Sequence, residues 1–261
     1  MSQRTIQRTR AERGFSLIEL LTVIAILTLV MGVVFKQIVT VQQRYRGEEA
    51  KLDIAQESRE FLDQIVRDLH QVGYPTARMY SVGAGGAALA SPPVNDTRVA
   101  AGLVRFAYND LQFEGDVDGD GVVDVVRYTL SAPGGTCPCT IQRSQVAKLA
   151  GAPMSQTPSY STELQNVINS GGSYTITGTG PGGASNNTLY GGLASQYIFL
   201  AFNANGDAVL PTDIGTNPNL IGSIRSIQIT VNVLAKQSAS DLQTGRRSAI
   251  SLTATAQVSN H

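Results

Sequence analysis

Between Arg13 and Phe35 the chain reads RGFSLIELLTVIAILTLVMGVVF. After the Arg-Gly pair come roughly 20 apolar or small residues, long enough to cross a bilayer as a helix. A helix that is apolar on every side belongs in a membrane or in the core of a helical assembly, not on the surface of a soluble domain. One carboxylate, Glu19, interrupts the run, and an acid there is costly unless something compensates it. Ahead of the run stand Arg4, Arg8, Arg10 and Arg13 against a single acid, Glu12. That cluster favours the cytoplasmic side, so the chain from about Lys36 onward is expected outside the cytoplasm. An ordinary secretory signal has a shorter apolar core, with a small-residue cleavage site after it.

Arg13, Gly14, Phe15, Ser16, Leu17, Ile18, Glu19 and Leu20 together resemble the class III signal of type IV pilins and pseudopilins. The resemblance implies that a membrane peptidase cuts between Gly14 and Phe15, removes residues 1–14 as a leader, and methylates the new terminal amine of Phe15. It also implies an assembly role for Glu19, whose carboxylate would pair with the free amine of Phe15 in a neighbouring subunit. Such a pairing neutralises two charges that are each unfavourable in an apolar core. Near a helix N-terminus the acid is also favoured by the helix dipole. The implied partners are other pilin or pseudopilin subunits through the N-terminal helix, the prepilin peptidase, and an inner-membrane assembly platform. The implied location is a single-pass position in the inner membrane, then a periplasmic or cell-surface filament. The bland alternative is a plain single-span membrane anchor with a chance Gly-Phe and one snorkelling Glu; an alternative of another class is a membrane-anchored adhesive or ligand-binding head that does not polymerise, in which Glu19 has no partner.

No proline occurs from Phe15 to Gly73, which predicts one long helix ended by Gly73 and Pro75. Residues 15–35 form its membrane-spanning half and residues 36–74 its amphipathic half. In the second half Leu52, Ala55, Leu62, Ile65, Val66, Leu69 and Val72 recur at helical spacing and predict one core-facing stripe. The stretch FLDQIVRDLHQVGYP, Phe61 to Pro75, is similar to the corresponding region of PilW-type minor pilins and of the J-type minor pseudopilin of type II secretion. That resemblance implies a minor filament subunit at priming or at the tip, with the type IV pilus as first choice and type II secretion as the alternative.

After a Gly/Ala/Ser/Pro-rich stretch, Ser81 to Pro93, the period becomes strand-like. Candidate strands are Gly102–Tyr108, Leu111–Glu114, Val122–Leu130, Thr140–Arg143, Ser173–Thr177, Gln196–Phe202, Ala208–Leu210, Ser223–Ala235 and Arg247–Val258. Alternation with turn signals between them predicts mostly antiparallel pairing. Gly178–Asn187 reads as a low-complexity loop. Helix first and strands after predict an α+β fold, with residues 75–261 as a β-rich head packed on the amphipathic half of the helix. The family resemblance implies a lollipop shape for it.

The segment Asp116-Val-Asp118-Gly-Asp120-Gly-Val-Val-Asp124 spaces its acids like a calcium loop. Asp116, Asp118, Asp120 and Asp124 supply hard oxygens, Val122 a backbone carbonyl, and Gly121 the turn, which suits Ca²⁺. The bidentate Glu of a full EF-hand is replaced by Arg127, so the expectation is a calcium-stapled hairpin turn, with Glu114, a distant acid or water completing it. The alternative is an Asp/Gly-rich turn without metal. Asn203–Asp207 contains Asn-Gly and is assigned to a plain turn.

Cys137 and Cys139 flank a proline in a compartment that permits disulfides. Residues two apart close a small, strained ring, so a local disulfide here would reduce easily; two structural thiols are the other reading. Without the leader, the 20 basic and 20 acidic residues become 16 and 19, which gives no electrostatic case for nucleic acid. The two histidines, His70 and His261, and the scattered serines form no catalytic arrangement, so no enzymatic activity is expected.

Overall fold

The computed structural model describes residues 16–80, 95–150, 156–179, 183–236 and 246–259. Gly14 and Phe15, the whole Ser81–Pro93 stretch, part of the Gly178–Asn187 stretch and His261 therefore lie outside the described residues.

Helix α1 runs unbroken over Leu17–His70. By internal contacts the chain divides into Met1–Tyr45 and Arg46–His261. In the first unit the described residues are almost entirely helical, and none of the most apolar window is buried by protein. This helix is long and apolar enough to cross a membrane. Its threonines do not break the apolar character. Thr22 Oγ1 donates to the Glu19 carbonyl at 2.9 Å, and Thr28 Oγ1 to those of Ile24 and Ala25 at 2.9 Å. Hydroxyls satisfied inside their own helix cost little in an apolar medium.

The second unit is α+β. The last residues of α1 lead into a short helix α2 (Ala77–Tyr80), and then strands follow: β1 (Leu103–Ala107), β2 (Asp110–Gly115), β3 (Asp124–Ser131), β4 (Thr136–Cys137), β5 (Cys139–Ala147) and β6 (Tyr160–Val167). Beyond them come β7 (Thr175–Ile176), helix α3 (Asn186–Ala194), β8 (Phe199–Phe202), β9 (Ala208–Val209), helix α4 (Pro211–Thr216), β10 (Ser226–Leu234) and β11 (Ala249–Gln257). Nine of the strands form one sheet in the order β1-β2-β3-β5-β6-β10-β8-β9, with β11 also paired to β10. All its pairings are antiparallel, and β4 pairs with β7 in parallel apart from it. The long β10–β11 ladder keeps register from Ser226↔Gln257 to Leu234↔Ala249 without a bulge.

The core joins the second half of α1 to this sheet. Ile54, Phe61, Leu62, Ile65, Leu69 and Val72 are buried with Phe113, Val126, Tyr128, Ile141 and Leu164 in one cluster. The spacing of Ile54, Ser58, Phe61, Ile65 and Leu69 follows steps of three and four along one helix face. Leu52, expected in that stripe, is instead 71% exposed, and Ile54 takes the core position. Leu52 stands two residues from Ile54, which on a helix turns it roughly 200° away.

Two further expectations need correction. Asn186–Ala194 is a helix, not the end of a loop, and its N-cap Ser185 Oγ accepts from Asn187 N at 3.3 Å. Tyr160–Val167 is a strand that the candidate set lacks. Its burial pattern shows no regular alternation, so it offers no period-2 signal.

Candidate functional site

Glu19 lies in the first turn of α1 and is exposed. It is the one acid between Leu17 and Phe35, where the side chains around it are aliphatic. Ser16, one residue before the helix, accepts the first backbone bonds from Glu19 N at 3.0 Å and Leu20 N at 3.1 Å. The carboxylate thus stands at the positive end of the helix dipole.

At the other end of α1, Asp68 is the point where helix and sheet are tied. Its Oδ2 accepts from the Tyr128 hydroxyl at 2.7 Å and from Arg143 Nε at 2.8 Å, and Arg143 Nη2 stands 2.8 Å away. Arg143 Nε also reaches the Tyr128 oxygen at 3.1 Å. The Phe61 ring meets Tyr128 edge-on at 6.1 Å. Burial, with the Asp68 charge and hydrogen bond, raises the Tyr128 hydroxyl far out of its ordinary range, so it stays a donor. Burial lowers the Arg143 pKa, but the surrounding Tyr128 and Asp68 outweigh that and raise it, so the guanidinium stays charged. The tyrosine and arginine come from β3 and β5, and sequence reasoning did not find them.

The helix end then runs directly against the acidic loop. Gly73 N donates to the Glu114 carbonyl at 3.0 Å, and Asp116 N donates to the Tyr74 carbonyl at 2.9 Å. Gly115 is needed for this approach: a Cβ there would sit 2.3 Å from the Gln71 carbonyl oxygen. Beyond it the loop turns through Gly119 and Gly121, at φ 77° and 84°. Asp116 Oδ1 accepts from Gly119 N at 2.8 Å and its Oδ2 from Gly121 N at 3.1 Å. Asp118 Oδ1 accepts from Asp120 N at 3.3 Å, and Asp120 Oδ1 from Val122 N at 2.8 Å.

Asp116, Asp118 and Asp120 bring one carboxylate oxygen each to within 4.8 Å of one another. Oxygens bound to one Ca²⁺ at 2.3–2.6 Å lie no farther apart than about 5 Å, so the three fit a single hard cation. Asp124 stands beside this set rather than in it. Its Oδ2 accepts from Gln145 Nε2 at 2.6 Å, and the same nitrogen reaches Asp118 Oδ2 at 3.2 Å. Burial raises the Asp124 pKa; the Gln145 bond lowers it, and the charges of Asp118, Asp120 and Asp116 raise it further. Val122 is exposed next to them.

Glu114 does not complete the loop. It is fully buried, and its Oε2 receives Lys148 Nζ at 2.7 Å and Ala101 N at 2.7 Å. Arg127, at the position of the missing EF-hand glutamate, turns to Asp110, with Nε–Oδ1 and Nη2–Oδ2 both at 2.7 Å. Cys137 and Cys139 are joined in a disulfide, and both are buried. His70 is exposed on the helix surface.

Residues 9–35 match the family model described as the prokaryotic N-terminal methylation motif. The match spans the Gly14–Phe15 junction, Glu19 and the apolar run, and it supports a type IV pilin-like or pseudopilin-like protein. No curated protein and no solved structure matches the chain.

Proposed function

We propose that this chain is a minor pilin, a non-catalytic subunit that primes a type IV pilus or sits at its tip. One observation carries the reading: the methylation motif of residues 9–35 continues into an apolar helix whose first turn holds a single acid, Glu19. In this reading the inner membrane holds the subunit as a single-pass protein until the prepilin peptidase cuts between Gly14 and Phe15 and methylates Phe15. The assembly platform then draws the helix into the filament, where Glu19 accepts the terminal amine of a neighbour. A β-rich head built on a sheet of nine strands is bulky for a repeating shaft and favours a place where it meets few neighbours. The similarity of Phe61–Pro75 to PilW-type minor pilins supports the same role. The J-type pseudopilin of type II secretion shares these features.

The test is mass spectrometry of protein sheared from the cell surface. The expected species begins at Phe15 and carries one added methyl. Recovery of leader-bearing protein in the filaments would overturn the processing step, and recovery only from secretion pseudopili would assign the chain to type II secretion.

We further infer that the loop from Asp116 to Asp124 takes Ca²⁺ as a structural staple. The mutual 4.8 Å distances among Asp116, Asp118 and Asp120 oxygens support it, as does the preference of Ca²⁺ for carboxylate and carbonyl oxygen.

A further inference from the structure

β11 (Ala249–Gln257) pairs with β10 along its whole length and with no other strand among the described residues. Two flanking bonds show which of its backbone groups face β10. Val258 N donates to the Arg225 carbonyl at 2.9 Å, and the Ser248 carbonyl accepts from Ala235 N at 2.8 Å. Backbone direction alternates along a strand, so Ile250, Leu252, Ala254 and Ala256 also turn their N–H and C=O toward β10. Ala249, Ser251, Thr253, Thr255 and Gln257 turn theirs outward, where none meets a backbone partner among the described residues.

Sheet edges are ordinarily guarded against other strands by charge, proline, bulges or shortness. The β1 edge carries Arg105 and a register shift, and β9 is two residues long and runs into Pro211. β11 has none of these guards. Its sequence, AISLTATAQ, holds no charge and no proline, and its ladder with β10 has no bulge. One face of the strand carries Ser251, Thr253, Thr255 and Gln257, all exposed. The other carries Ile250, Leu252 and Ala254, which stay half-buried against the core.

We propose that this edge pairs with the same edge of a second copy, antiparallel about a twofold axis at Thr253. The strand is self-complementary in that register. The outward groups of Thr253 meet those of its mate, Ser251 meets Thr255 and Ala249 meets Gln257, so every outward N–H finds a carbonyl. On the apolar face Ile250 falls opposite Ala256 and Leu252 opposite Ala254, large against small. On the polar face hydroxyls meet hydroxyls, and no like charges are brought together. A slide of one step to the next matched register leaves backbone groups unpaired at the ends and sets Leu252 against Leu252 or Ala254 against Ala254. The contact is isologous and closes at two copies. It therefore neither repeats along a shaft nor depends on the filament reading.

The test uses the full chain in detergent, with single introduced cysteines, two distinguishable tags and a short bifunctional thiol reagent. Cys137 and Cys139 are joined and buried, so the reagent reads only the introduced thiols. Thr253→Cys should cross-link to itself, because facing Cα atoms in such a pair stand about 5.5 Å apart. Gln257→Cys should not, because its mate lies at the far end of the ladder, roughly 27 Å away. Ser251→Cys copies should cross-link to Thr255→Cys copies. That mixed yield should fall about fivefold when both copies also carry Thr253→Lys, and should return when one copy carries Thr253→Lys and the other Thr253→Asp. Thr253 is exposed, so both charge variants should melt with the wild type. No link at position 253 would overturn the pairing. Equal linking at 253 and 257 would overturn the antiparallel register, and a 251–255 yield indifferent to the charge swap would overturn the edge as the contact.

Discussion

Tyr128 donates its hydroxyl proton to Asp68 Oδ2 across 2.7 Å, although the two residues are 60 positions apart. The bond ties the last turns of α1 to the middle of the sheet, and Arg143 adds charge to it from the next strand. The aspartate of the Arg-Asp-Leu stretch is thus a structural anchor, with little exposure left for a ligand.

Asp68→Ala should destabilise the second unit by about 3 kcal/mol, because it leaves a largely buried guanidinium without its counter-charge. Tyr128→Phe should cost only about 1 kcal/mol, the loss of one hydrogen bond. Thermal melts of the detergent-solubilised full chain would order the two. A Tyr128→Phe loss equal to that of Asp68→Ala would contradict the anchor role.

Gly115→Ala should be more damaging than its size suggests. Its new Cβ would meet backbone atoms of Gln71, the oxygen at 2.3 Å and the carbon at 2.9 Å, which cannot swing aside as a side chain would. A cost of ~2 kcal/mol is expected for such overpacking. Gly191→Ala, with open space around it, serves as the control in the same melts.

Burial raises the Asp124 pKa in the folded protein, and the neighbouring aspartates add to this. The folded state therefore holds that proton more tightly than the unfolded chain does, whose aspartate titrates near 3.9. The resulting stabilisation is full below about pH 3.9 and is lost as pH rises through the folded value. In chelator at neutral pH, Asp124→Asn should raise the melting temperature by a few degrees and flatten its acid-side pH dependence. An unchanged melt would remove the burial argument.

Calcium should raise the melting temperature through preferential binding to the folded state, by an amount that grows with the logarithm of its concentration. Asp118→Ala should abolish the increment while leaving the calcium-free melt close to wild type, since Asp118 is exposed. Magnesium at equal concentration should do less, because it surrenders its waters reluctantly. A melt insensitive to calcium would leave only the Asp/Gly turn.

Glu19→Ala should leave the protein in the membrane, because it makes the span more apolar, yet prevent or sharply reduce its entry into sheared filaments. Immunoblots of membrane and sheared fractions would check this. Equal filament content in the variant would overturn the assembly role of Glu19, whereas wild-type protein confined to the membrane fraction would favour a solitary anchored protein.

The long helix was legible because fifty-odd residues repeat one message: no proline, an apolar block, then a periodic stripe. The strands were legible where one face is wet, as in β3, whose side chains from Val126 onward alternate between buried and half-buried. β6 was not, because its polar sequence YSTELQNV carries no alternation to read. The acidic loop was legible since all its parts lie within nine residues, and the backbone turns of Asp116 and Gly121 are local chemistry. The Asp68 anchor was not, because Tyr128 and Arg143 lie 60 and 75 positions away, and only folding brings them together. Lys148 and Glu114 were hidden for the same reason: two charged residues that look like surface in the sequence are fully buried on each other.

The threonine hydroxyls of the apolar span have a consequence for anything that packs beside it. With Thr22 and Thr28 each returned to a carbonyl of their own helix, the segment presents a smooth hydrocarbon rod to its surroundings. Two such rods can slide past one another by a full turn with almost no chemical penalty along most of their length. In the filament reading, only the lone carboxylate at one end would tell one alignment from the next, a single atom group acting as the notch by which neighbouring rods would find their place.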